Sequence, residues 1–146
     1  MKDSEIVTPL IYNQVEYPDY GIHKKTGEIY SKKTGTWEIR KPHTSGGNKY
    51  PHRIIYKNGK AKDIQSHVAA HETLNPTLPI PPGITKKLWK TILCQCDEAF
   101  LDWVRSGFQV NHINHNTGDY TPPNLEWVTR KENTEAFQEH RKRQAA

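Results

Sequence analysis

The chain has 146 residues, of which 34% are hydrophobic, and a mean hydropathy of -0.90, so one compact domain with a modest core and a large polar surface is expected. No apolar run reaches the roughly 18 residues of a membrane-spanning helix, and Cys94 and Cys96, one residue apart, cannot build a zinc ribbon without a further Cys or His pair. A net charge of +5 favours a polyanionic partner, nucleic acid being the commonest for a basic chain.

The start, Met1-Lys2-Asp3-Ser4-Glu5, lacks the apolar stretch of a secretory signal, and with reduced cysteines this gives a cytoplasmic expectation. Residues 1–18 contain Pro9 and Pro18 and no helical period, and read as an extended lead-in. From Tyr20 to Gln65, β-prone pieces alternate with turn signals. Strands are expected near 21–24, 28–31, 36–39, 50–56 and 61–65, in one small antiparallel sheet. Lys57-Asn58-Gly59-Lys60 carries the Asn-Gly hairpin signal. Ser66 can cap a short helix through Ala69-Ala70 and His71. Pro76, Pro79, Pro81 and Pro82 force a loop, and apolar residues at helical spacing between Thr85 and Arg105 give one or two amphipathic helices before Ser106-Gly107.

The closing residues are the most specific. Gln109 to Ile113 and Leu125 to Thr129 read as two strands, joined by a loop that Gly118-Asp119 and Pro122-Pro123 mark. Thr129-Arg130-Lys131-Glu132 fits a capping box opening a helix. Asn133 then lies in the first helical turns, with Ala136 and Phe137 on its side to pack on the strands. A strand residue and a helix residue can thus converge beside the positive helix end, which favours phosphate.

This stretch, Val110 to Asn133, resembles the HNH (His-Me finger, ββα-metal) endonucleases of the phage and intron-encoded homing type. The resemblance rests on Asn111-His112, Asn116, Asn124-Leu125-Glu126-Trp127-Val128-Thr129 and Glu132-Asn133. Tyr17-Pro18-Asp19-Tyr20, Gly27-Glu28-Ile29-Tyr30-Ser31, Arg53 to Lys60 and His67-Val68-Ala69 are similar to the strand-rich module that precedes the motif in that family. The resemblance covers most of the chain except 75–109.

It implies His112 as the general base that deprotonates the attacking water, and Asn111 and Asn133 as holders of one divalent cation. That ion would be Mg²⁺, with Mn²⁺ able to substitute, and no structural zinc. Asn124 would tie the loop to the hairpin and hold His112, and the products would carry 5′-phosphate and 3′-hydroxyl ends. Position 111 is Asn where many relatives have Asp. Amide oxygens are hard ligands without charge, so the phosphates of the DNA must complete the ion's shell. Asp119 is a weaker candidate ligand. His112 and His115 form a His-x-x-His pair, but no further zinc ligands follow at suitable spacing.

Double-stranded DNA is the expected partner, met by basic strands and turns. Arg40, Lys41, Arg53, Lys57, Lys60 and Lys62 lead, with His67 and Arg130, and with Lys24, Lys25, Lys32, Lys33 and Lys49 as further candidates. The fold expected is α+β: a strand-rich DNA-contacting module (1–74), a Pro-rich loop and helical connector (75–106), and a C-terminal ββα-metal finger (107–146). The activity expected is metal-dependent, site-preferring cleavage of DNA, as a nick or a double-strand cut, in the host cytoplasm if the chain is phage-encoded. A homodimer would let both strands be cut. The rivals are a non-catalytic DNA-binding protein on the same scaffold and a structure-specific or RNA-directed nuclease.

Overall fold

The computed structural model of the chain describes residues 3–45, 48–77 and 79–145, without the side chains at 3, 45, 48, 136, 137, 140 and 145. The packing expected of Ala136 and Phe137 lies outside the described residues. The chain divides into two compact units, one of residues 1–76 and 112–126 and the other of residues 77–111 and 127–146.

In the first unit the expected lead-in is instead structured. Strands β1 (Ile6–Val7), β2 (Leu10–Tyr12) and β3 (Val15–Tyr17) precede β4 (Tyr20–His23). Pro9 and Pro18 fall between strands, where a missing N–H interrupts no ladder. Asn13 and Gln14, both at positive φ (49° and 69°), close the β2–β3 hairpin without a glycine. β1 pairs with β4, which pairs onward through β5 (Ile29–Ser31) to β6 (Glu38–Arg40), all antiparallel.

The remaining strands, β7 (His43–Ser45), β8 (Asn48–Lys57) and β9 (Lys60–Gln65), form a separate three-stranded sheet. The single sheet expected from sequence is therefore two. Pro42, which cannot donate to a ladder, stands at the break between them. β8 and β9 meet at Asn58 and Gly59, whose φ values of 52° and 76° are those a two-residue primed turn needs.

Helix α1 (Ser66–Leu74) is buried almost all round. Ser66 is its first residue and not its cap; Gln65 takes that place and makes no side-chain cap bond. Tertiary contacts hold this helix instead. Thr73 Oγ1 accepts from the Ile11 amide at 2.8 Å, and buried Glu72 accepts from the Asn13 amide at 2.6 Å. Leu10, Ile22, Ile29, Ile55 and Ile64 form the innermost core, each at most 1% exposed. Burial of this kind stabilises by about 25 cal/mol per Å² of apolar surface.

In the second unit, Thr85 caps α2 (Lys86–Gln95) and Asp97 caps α3 (Glu98–Ser106), each accepting a backbone N–H in the first turn. The extended backbone at Cys96 separates the two helices. Trp89, Ile92, Phe100, Trp103 and Phe108 help line a groove of about 500 Å³ on this unit. β10 (Phe108–His112) pairs with β11 (Leu125–Thr129), and α4 (Arg130–Ala145) follows directly. Among the described residues, no helix is long and apolar enough to cross a membrane.

Candidate active site

The loop from β10 to β11 is held by amides. Asn124, 9% exposed, accepts from the Asn114 amide at 3.0 Å. It donates through Nδ2 to Asn114 Oδ1 at 3.0 Å and to the Asp119 carbonyl at 2.9 Å. Its own carbonyl accepts from the Ile113 amide at 2.8 Å, immediately after His112. Asp119 is saturated by local donors: Thr121 through N and Oγ1 at 3.2 and 2.6 Å, and Asn114 Nδ2 at 3.0 Å. These bonds, Thr121's side chain first, hold the Asp119 carboxyl below its ordinary range.

The loop is also tied to the sheets. Thr117 donates to the Lys49 carbonyl at 3.0 Å, and Tyr120 donates to Glu28 at 2.8 Å. Backbone passes close as well: a Cβ on Gly27, at φ +74°, would run into the Tyr120 carbonyl oxygen.

His112, at the end of β10, is 5% exposed, and its Nε2 is buried without a hydrogen-bond partner among the described residues. Two rings flank it within the first unit: His67 of α1 at 4.6 Å between centroids and Tyr50 of β8 at 5.8 Å. Tyr50 and His67 stack on each other at 5.0 Å. Burial pushes the His112 pKa below the usual histidine value, against an upward pull from Asp119. Its ring is therefore neutral at pH 7, as a proton acceptor must be.

In the second unit, the capping box forms in full. Glu132 Oε1 accepts from Thr129 N at 3.2 Å, and Thr129 Oγ1 accepts from Glu132 N at 3.1 Å. This fixes the first turns of α4, on which Asn133 donates Nδ2 to Gln109 Oε1 at 2.7 Å. That bond leaves Asn133 Oδ1 as the acceptor end of its amide. Gln109 and Asn111 are two apart on β10, so they share a strand face. Asn111 and Asn133 thus belong to one neighbourhood of this unit.

The donor set suits a hard divalent cation through neutral amide oxygens only. Among the described residues, no group of three or more His, Cys, Asp or Glu side chains could hold a metal ion. The fit is to a partial shell that needs anionic oxygens from elsewhere.

The expected DNA-contacting residues separate. Lys60 and Lys62 are exposed on β9. Arg53 donates to the Lys41 carbonyl at 3.2 Å, and Lys57 donates to the Glu16 carbonyl at 2.7 Å and lies over the Tyr17 ring. Arg40 and Lys41 pair with Glu38 and Glu28 at 3.3 and 3.6 Å. Arg130 is exposed at the start of α4. His67 differs from these basic residues: it is 5% exposed, and burial pushes its pKa down to about 3. It lies beside His112.

Sequence reading missed Tyr50 and Gln109. Strand alternation could have found Gln109 from Asn111, whereas the stacking of Tyr50 leaves no local signal. It also missed that Ile54 and Tyr56, 44% and 47% exposed, occupy the face of β8 opposite the buried Ile55.

Residues 103–135 match the family model described as HNH endonuclease. No curated protein matches the chain. Among solved structures, one of DNA binding and cleavage by the HNH homing endonuclease I-HmuI is similar, with a TM-score of 0.53 and 24% sequence identity. The match covers 83% of this chain and 52% of that one, so this chain spans about half the neighbour's length. The likeness is one of fold: α+β, with antiparallel sheets and a C-terminal strand–strand–helix region.

Proposed function

We propose that this chain, whose residues 103–135 form an HNH endonuclease segment, is a metal-dependent nuclease that hydrolyses phosphodiester bonds of double-stranded DNA. The observation that carries the reading is His112: a neutral imidazole inside that segment, buried, with Nε2 engaged by no donor or acceptor among the described residues. A histidine serving only structure would have that nitrogen satisfied, because an unpaired buried polar group costs about 1–3 kcal/mol.

In this reading His112 Nε2 takes a proton from water, the water oxygen attacks phosphorus, and the 3′-oxygen departs, leaving a 5′-phosphate. Asn124 acts on the backbone, pinning the loop so that His112 keeps its place. Asn111 and Asn133 would hold the divalent ion, Mg²⁺ or Mn²⁺, and the phosphates would complete its shell. Bound there, such an ion polarises the phosphate and stabilises developing charge. The exposed Lys60 and Lys62 support docking of duplex DNA along the β8–β9 hairpin. That the neighbour of similar fold is a homing endonuclease that binds and cleaves DNA supports a site-preferring enzyme.

Supercoiled plasmid tests this reading. With Mg²⁺ or Mn²⁺ the protein is expected to nick or linearise it, and EDTA is expected to stop the reaction. Binding without cutting under every metal condition would make the chain a DNA-binding scaffold instead.

A further inference from the structure

His67 is not explained by packing alone. It enters the ring cluster from α1, while Tyr50 enters from β8 and His112 from β10, and all three rings lie within 5.8 Å of one another. Like Nε2 of His112, its Nδ1 is buried and has no hydrogen-bond partner among the described residues. Two such nitrogens on neighbouring rings are an unusual expense, since native interiors leave few polar atoms unsatisfied. A phenyl ring at 67 would stack on Tyr50 without that penalty.

We propose that His67 is a second member of the base site, and that its Nδ1 accepts a hydrogen bond from the same water that His112 deprotonates. The inference rests on the nuclease reading above. A water has two hydrogens, and two acceptors fix both of them. One hydrogen passes to His112 Nε2 as the O–P bond forms and the P–O3′ bond breaks; the departing 3′-oxygen takes its proton from solvent. The other hydrogen stays on the new phosphate oxygen, held by His67 until release. Fixing both hydrogens aims the oxygen lone pair at phosphorus, which is where positioning lowers a barrier. Burial, and after it the neighbouring His112, keeps His67 unprotonated down to about pH 3, so it remains an acceptor through the neutral range.

The test compares wild type, His67→Phe, His67→Asn and His112→Ala on supercoiled plasmid with Mg²⁺ and protein in excess. Cleavage rate is followed against protein concentration, and thermal midpoints are measured alongside. His67→Phe keeps a ring but loses the acceptor. It is expected to melt at or above the wild-type temperature, to half-saturate at the same protein concentration, and to cut about 10- to 100-fold more slowly at saturation. His67→Asn, with an amide atom near the place of Nδ1, is expected to recover most of that loss. His67→Phe cutting at the wild-type rate, or His67→Asn cutting no faster than His67→Phe, overturns the proposal and makes His67 a packing residue. If His112→Ala cuts as fast as wild type, or wild type does not cut, the nuclease reading itself fails and this inference with it.

Discussion

The Tyr120 hydroxyl donates to Glu28 at 2.8 Å across 92 residues of sequence, fastening the loop that follows His112 to the turn between β4 and β5. Burial and this bond raise the Tyr120 pKa, so the phenol stays a donor at any working pH. Gly27, beside Glu28, lets the two backbones approach, since a Cβ there would overlap the Tyr120 carbonyl oxygen. Gly27→Ala is therefore expected to destabilise by about 2 kcal/mol or more, because it adds both a clash and a strained positive φ. Tyr120→Phe is expected to cost about 1 kcal/mol. Urea denaturation checks the order; an unchanged Gly27→Ala midpoint would remove this anchor from the account.

Asn124 carries one accepted and two donated side-chain hydrogen bonds within the loop. Asn124→Ala is expected to lose about 2–4 kcal/mol of stability. At temperatures where that variant stays folded it is also expected to cut plasmid at least about tenfold more slowly, because the loop bearing His112 loosens. Thermal melts read beside cleavage rates separate the two effects.

Stability is expected to fall on mild acidification. Burial pushes His67 down to about 3 and His71 down to about 4, from 6.5 in the unfolded chain. Above pH 6.5 neither state binds these protons and stability is level. Below it the unfolded chain takes them up first, so each histidine removes about 1.4 kcal/mol per pH unit. For His71 this continues to about pH 4 and for His67 to about pH 3. Urea midpoints at pH 5 are expected well below those at pH 7, with His67→Phe showing the shallower slope. Equal midpoints at the two pH values would contradict the burial of both rings.

The sequence made some of this legible and hid the rest for physical reasons. The Thr129–Glu132 capping box and the Asn58-Gly59 turn are local chemistry, so spacing alone located α4 and the β8–β9 hairpin. The β1–β3 strands were hidden because each is only two or three residues long and its pairing is remote, as in Ile6 with His23. The Asn13-Gln14 turn reaches positive φ without glycine, so it gave no signal. His112 and Asn133 stood out by spacing, but the burial of His67 did not: α1 is covered on nearly every side, and no helical period marks which face meets His112.

DNA affinity is expected to depend steeply on salt, with Lys60 and Lys62 contributing. Each phosphate contact removed lowers the slope of log K against log salt by about 1. Lys60→Ala with Lys62→Ala is thus expected to flatten it by about 2, read by fluorescence anisotropy on a plain duplex. An unchanged slope would move the DNA-contacting surface away from β9.

The most direct measurement is the single-turnover cleavage rate of His112→Ala, taken with its duplex affinity under the same Mg²⁺ conditions. If the buried imidazole is the base, affinity stays within about twofold of wild type while the rate falls by about 10²-fold or more. A variant that binds and cuts like wild type would contradict the account at its centre.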